Sequence, residues 1–218
     1  MTRATAALTG ALVVALAIGA PAGLAHRSGG MQGHVEMVGD MHEFPDLAAA
    51  GHRNVARARR LLRASRRSAA RFDTIAEAER LGYRIDRFMR PGFVHLRKFG
   101  ARFWGRKFDA AAPQAILFWC PSHGACTLAA YMYRAPAGRP PSTWGDLLMW
   151  HRHGQTATAS WMTHVWLLRS LRSAYATCAP TNALASDLKI RLEPYQGSVT
   201  THRCRSEDAP DGPPMPDM

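Results

Sequence analysis

Ala115-Ile-Leu-Phe-Trp-Cys-Pro-Ser-His-Gly-Ala-Cys-Thr-Leu-Ala-Ala-Tyr-Met-Tyr133 decides the fold of this chain. Ala115–Cys120 is apolar almost without interruption and has the length of a buried strand. Thr127–Tyr133 is its partner run, and Pro121-Ser-His-Gly-Ala125 between them is turn chemistry. Four cysteines permit three pairings. Cys120 and Cys126 flank the turn, so a bond between them would staple the mouth of a hairpin and leave Cys178 with Cys204. The spacings lack the paired C-x2-C knuckles of a four-cysteine metal site.

Upstream of the hairpin the pattern is helical. Residues 46–70 hold alanine, leucine and arginine without proline, and Leu47, Val55, Leu61 and Leu62 give a basic helix one apolar side. Thr74 and Glu77 make a capping box, Ile75, Ala78 and Leu81 follow at helical spacing, and Gly82 supplies the stop. Strands return at Tyr83–Phe88 and Phe93–Phe99, around the turn Arg90-Pro-Gly92. Downstream, Leu147–His153 and Trp161–Leu168 are further strands, although Trp161, Val165, Leu168 and Leu171 also fit a helix face. The expectation is an α+β fold: N-terminal helices, then an antiparallel sheet of about five strands, held by two disulfides.

The ends of the chain have a different character. Arg3 precedes residues 4–25, which carry no charge, and the apolar centre Ala11–Ile18 breaks at Gly19 and Pro21. A basic start, a short apolar middle and small residues describe a secretory signal peptide over 1–25, cut after Ala22 or Ala25; an uncleaved anchor is the alternative. Residues 26–45 read as a flexible Met/His/Gly-rich leader, 46–204 as a single α+β domain, and 205–218 as a disordered Pro/acidic tail. Export to an extracellular or envelope location agrees with an even cysteine count.

Charge is concentrated in one part of the map. The 218 residues carry a net charge of +12, with 28 basic and 16 acidic side chains. Residues 51–107 alone hold 17 basic against 4 acidic, a net of +13, so the rest is close to neutral. Such a stripe suits an anionic cell-envelope polymer or lipid surface. Specific nucleic-acid binding fits poorly with export, and 25 arginines against 3 lysines reads as coding bias as much as phosphate recognition. No phosphate loop, dinucleotide fingerprint, serine elbow or zinc-finger spacing occurs, so the sequence names neither a reaction nor a catalytic residue.

Ten histidines offer the clearest chemical lead. His151 and His153 stand at i and i+2, which on a strand points both imidazoles to one face. His164 in the next segment and His95 on an earlier strand could join them. Zinc or copper prefers such nitrogen ligands. Met31, His34, Met37, Met41 and His42 give the leader a copper-like composition, and His26 would become the N-terminal residue after cleavage at Ala25. The bland alternative is that histidines among Trp, Met and Leu are hydrogen-bonded core residues.

Several short motifs resemble a group of uncharacterised exported proteins from GC-rich Gram-positive bacteria. They are Ala70-Arg-Phe72 through Ala78 to Gly82-Tyr83, Gly92-Phe-Val-His95, and Pro113-Gln-Ala-Ile-Leu-Phe-Trp119. Tyr131–Pro136, Trp150-His-Arg-His153 and His164-Val-Trp166 complete the set, over about residues 70–180. Similar members carry Gly-Met where this chain has Gly92-Phe93, and an Asn-Pro-Gly run after the HxW element that is absent here. The resemblance implies a fold neighbourhood and singles out His95, His151, His153 and His164. The resulting expectation is an exported binding or envelope-associated domain with a histidine-rich surface. The alternatives are a zinc- or copper-dependent enzyme using these histidines, or an extracytoplasmic copper/zinc-binding protein.

Overall fold

A computed structural model describes residues 37–39, 43–87, 90–98, 108–136, 144, 147–153, 160–193 and 203–204. The expected signal peptide, the leader up to residue 36 with Met41 and His42, and the acidic tail lie outside the described residues.

The hairpin forms as its sequence predicts. β4 (Ala115–Cys120) and β5 (Thr127–Ala135) pair antiparallel, with Ile116 opposite Tyr131 and Leu117 opposite Ala130. Cys120 and Cys126 are bonded across its mouth, and Cys178 bonds Cys204. Ala129 is an extra residue in β5, a bulge that shifts the register between Leu117 and Phe118. Every residue of β4 is buried, because it lies inside the sheet with both faces covered.

Around this hairpin stand β1 (Met37–Gly39), β2 (Tyr83–Arg87), β3 (Gly92–Lys98), β6 (His151–His153) and β7 (Trp161–Trp166). The antiparallel sheet has seven strands in the order β1-β6-β7-β5-β4-β3-β2, where about five were expected. One addition comes from the supposed leader, where Met37–Gly39 pairs with His151–His153. Without it, β6 would present a row of unpaired backbone groups. Phe44 is buried and the Glu43 carbonyl accepts from the Thr177 amide at 3.0 Å, so the domain begins earlier than residue 46. The ambiguous segment at 161 is a strand: both faces of β7 are covered, which erases the two-residue alternation that would have marked it.

One face of the sheet is covered by α1 (Leu47–Ala50), α2 (His52–Ser68), a 3-10 turn (Ala69–Phe72) and α3 (Ile75–Arg80). Val55, Ala58, Leu61, Leu62 and Ser65 form the buried side of α2 and pack with Tyr131, Tyr133 and Val165. Phe72 drops between Tyr83 and Tyr131, edge-on to both at 5.4 and 5.7 Å. The Thr74–Glu77 capping box starts α3 as the sequence predicts. The opposite face is covered by α5 (Thr181–Leu188) and the irregular chain around it, which bury Ala176, Cys178, Leu184 and Ile190 against Leu117, Trp119 and Trp166, whereas α4 (Leu171–Ala174) packs on the α2 side through Leu171 and Ala174.

Candidate functional site

The outward side of α2 is the most unusual surface among the described residues. Burying positions 55, 58, 61, 62 and 65 leaves Arg53, Arg57, Arg59, Arg60, Arg63, Arg66 and Arg67 exposed, with no acid anywhere in the helix. Arg66 and Arg67 sit favourably at the C-terminal turn. Elsewhere like charges meet at i,i+3 and i,i+4 spacing, each pair costing about 0.2–0.5 kcal/mol. No ion pair among the described residues relieves them, since those found join Arg80 to Glu77, Arg97 to Asp86 and Arg169 to Asp187. The helix is therefore held by its apolar side against the sheet while its charged side repels itself.

Arg57, Arg60 and Arg67 form one bank of a groove of about 980 Å³, whose other bank is Phe108, Asp109 and Trp144. Four contacts fix the 109–113 part of that second bank. The carbonyls of Asp109, Ala110, Ala111 and Pro113 accept from Tyr133 (3.2 Å), Ser68 (2.6 Å), Arg71 (3.2 Å) and Tyr83 (2.6 Å). Ser68 has one hydroxyl proton and directs it to Ala110, so Tyr131 donates to Ser68 Oγ at 2.9 Å. Burial pushes the Tyr131 hydroxyl up to about 12, and drives those of Tyr83, Tyr133 and Tyr175 upward as well. These hydroxyls stay protonated donors at any physiological pH.

Asp109 brings one carboxylate to the groove against the three arginines, and its Oδ1 accepts from the Ala111 amide at 2.8 Å in the local turn. Phe108 lies edge-on to Tyr133 at 5.0 Å and meets Trp144 at 5.2 Å, which makes a half-buried aromatic wall. Trp144 holds φ at +59°, a left-handed conformation that a bulky side chain adopts at a cost.

The histidines lie on the other face, and not as a surface. His151 and His164 are 1% and 7% exposed, which corrects the expected histidine-rich surface. β6 lies between β1 and β7, so an inward imidazole there is enclosed by the C-terminal cover. The two rings approach to 4.9 Å between centroids, and His164 meets Trp166 at 5.4 Å. Phe93 continues the line, 5.5 Å from Trp166 and 5.1 Å from Trp119. These large rings meet across the sheet because Ala129 and Ala130 between them are small.

The sheet does not bring His95 to the pair. His95 faces Leu117, Leu117 faces Ala130 and Ala130 faces Trp166, so His95 stands three strand spacings from β7, roughly 14 Å. The backbone of His153 runs the other way: His151 is opposite Met162, so the antiparallel register carries His153 toward Ser160 and away from His164. Among the described residues, no group of three or more His, Cys, Asp or Glu side chains is placed to hold a metal ion.

All four cysteines are bonded, which marks an oxidising, extracytoplasmic environment. No helix among the described residues is long and apolar enough to cross a membrane. No family model, curated protein or solved structure matches the chain. Sequence reasoning found the basic stripe but missed Phe108 and Trp144. The available signal was an aromatic closing the Pro-rich run Arg139-Pro-Pro-Ser-Thr-Trp144.

Proposed function

We propose that this is an exported domain that binds an anionic polymer of the cell envelope along the arginine side of α2. The observation that carries this reading is the set of seven exposed arginines, unopposed by ion pairs among the described residues, three of which line a groove banked by Phe108, Asp109 and Trp144. A polyanion would relieve the repulsion along the helix and release its own counterions. A lipid surface suits the geometry less well. A helix lying in a membrane interface needs its apolar side free, and α2 spends that side on the sheet.

Calorimetric titration with long-chain polyphosphate tests this. Binding should be present at low salt and fall steeply as salt rises, and the triple variant R57A/R60A/R67A should weaken it at least about tenfold. Undiminished affinity in the triple variant overturns the assignment to this groove. Stronger binding to phosphatidylglycerol vesicles than to the polymer overturns the choice of partner.

The close approach of His151 and His164 favours a second reading. In it, the interior pair supplies two imidazole ligands to a zinc or copper ion.

A further inference from the structure

We infer that the occupant of the groove is an acidic glycan, whose sugar rings lie on the Phe108–Trp144 wall while its anionic groups meet Arg57, Arg60 and Arg67. This rests on the polyanion reading and specifies its ligand. A simple polyphosphate would be satisfied by arginines on an open helix. It has no use for aromatic rings, which gain from apolar contact with a flat, partly apolar partner. Here the arginines are opposed by two touching rings, Phe108 and Trp144 at 5.2 Å. The wall beneath them is fixed by side-chain hydrogen bonds to the carbonyls of Asp109, Ala110, Ala111 and Pro113.

The dimensions agree. Arg57 and Arg67 are ten residues apart, about 15 Å along the helix axis, which is room for more than one monosaccharide. Their guanidinium groups are planar forks that match carboxylates as well as phosphates. Trp144 adds an independent sign. Its φ of +59° is a position where glycine or asparagine would cost less, and a large ring is retained there at the edge of the groove. Strain of this kind is typical of ligand clamps. Single-stranded nucleic acid also combines rings with charge. The two disulfides, however, place the protein in a compartment where glycans are the abundant ring-bearing polyanions.

The experiment compares three probes on the full chain without its signal segment: an oligogalacturonate, polyphosphate of similar charge, and oligothymidylate. Wild-type protein should bind the oligogalacturonate with a change in tryptophan fluorescence. Trp144→Ala should weaken that binding about tenfold and leave polyphosphate affinity within twofold, whereas R57A/R60A/R67A should weaken both. Trp144→Phe keeps a ring and should recover most of the glycan affinity, and matching urea midpoints will show that both variants fold. Equal losses for glycan and polyphosphate in Trp144→Ala, or no loss for either, overturn the glycan inference and leave the polyanion reading standing. Preference for oligothymidylate overturns it as well. Failure of wild-type protein to bind any of the three removes the polyanion reading itself.

Discussion

The two faces of the sheet are covered in opposite ways. On one, the 17-residue α2 lies across Tyr131 and Tyr133, and the buried tyrosine hydroxyls each bond a neighbouring carbonyl or Ser68. On the other, a row of rings runs from His151 through His164, Trp166 and Phe93 to Trp119. Its cover is one short helix and irregular chain, tied down by Cys178–Cys204, with the Cys204 amide bonded to the Ala179 carbonyl. A long amphipathic helix makes its own hydrogen bonds and needs only an apolar side to stay in place. An irregular cover has fewer such bonds and gains most from a covalent tie. The charged groove therefore rests on the self-supporting face, and the rings and histidines on the clamped one.

Alkaline pH should separate the two faces most strongly. Tyr83, Tyr131, Tyr133 and Tyr175 all belong to the helix-covered core and all have raised hydroxyl pKa values, chiefly from burial. Above about pH 10 the unfolded chain releases these protons while the folded chain keeps them, so stability falls as pH rises. Each tyrosine should cost about 1.4 kcal/mol per pH unit in that window, and for Tyr131 the loss levels off near 12. Urea midpoints between pH 8 and 11.5 should show the slope, and Tyr133→Phe should flatten it. A slope unchanged in that variant would break the contrast.

The disulfides give the next largest effect. Cys178 and Cys204 are 26 residues apart and Cys120 and Cys126 only 6. Loop-closure entropy assigns about 3–4 kcal/mol to the first and about 2 to the second. The C178S/C204S variant should therefore lose more stability in urea than C120S/C126S, with the loss confined by hydrogen exchange to residues covering the tryptophans. Equal losses would mean that the C-terminal cover does not depend on its clamp.

The smallest effect concerns the histidine pair. If it ligates metal, tag-free protein dialysed against zinc should retain about one equivalent, and His151→Phe should abolish retention with little change in fold. Retention below about a tenth of an equivalent would leave His151 and His164 as packed members of the aromatic row.

Much of the architecture was legible because it is local. The apolar runs at 115–120 and 127–133, the turn between them and the Thr74–Glu77 capping box were each encoded within a few residues. The C-terminal cover was less legible. α5 is eight residues long and its one fully buried position is Leu184, too little periodicity to announce a helix. β1 has three residues, and it became a strand only because β6 offered an open edge. Of the histidines grouped by pattern, the fold brings His151 and His164 into contact and leaves His95 apart. A motif can say that His151 and His153 share a face, yet strand order alone separates His95 from β7 by β4 and β5.

The sequence by itself determined the strand hairpin and its staple, the helices before it, the concentration of positive charge in residues 51–107 and the even set of cysteines. These follow from side-chain periodicity, turn chemistry and composition, which need no knowledge of distant residues. Only the tertiary structure decided that Arg57, Arg60 and Arg67 face Phe108 and Trp144, and that His151 meets His164 inside the fold. Those neighbours are tens of residues or a strand register apart. What brings them together is the cover that each sheet face acquires when its apolar side chains leave water.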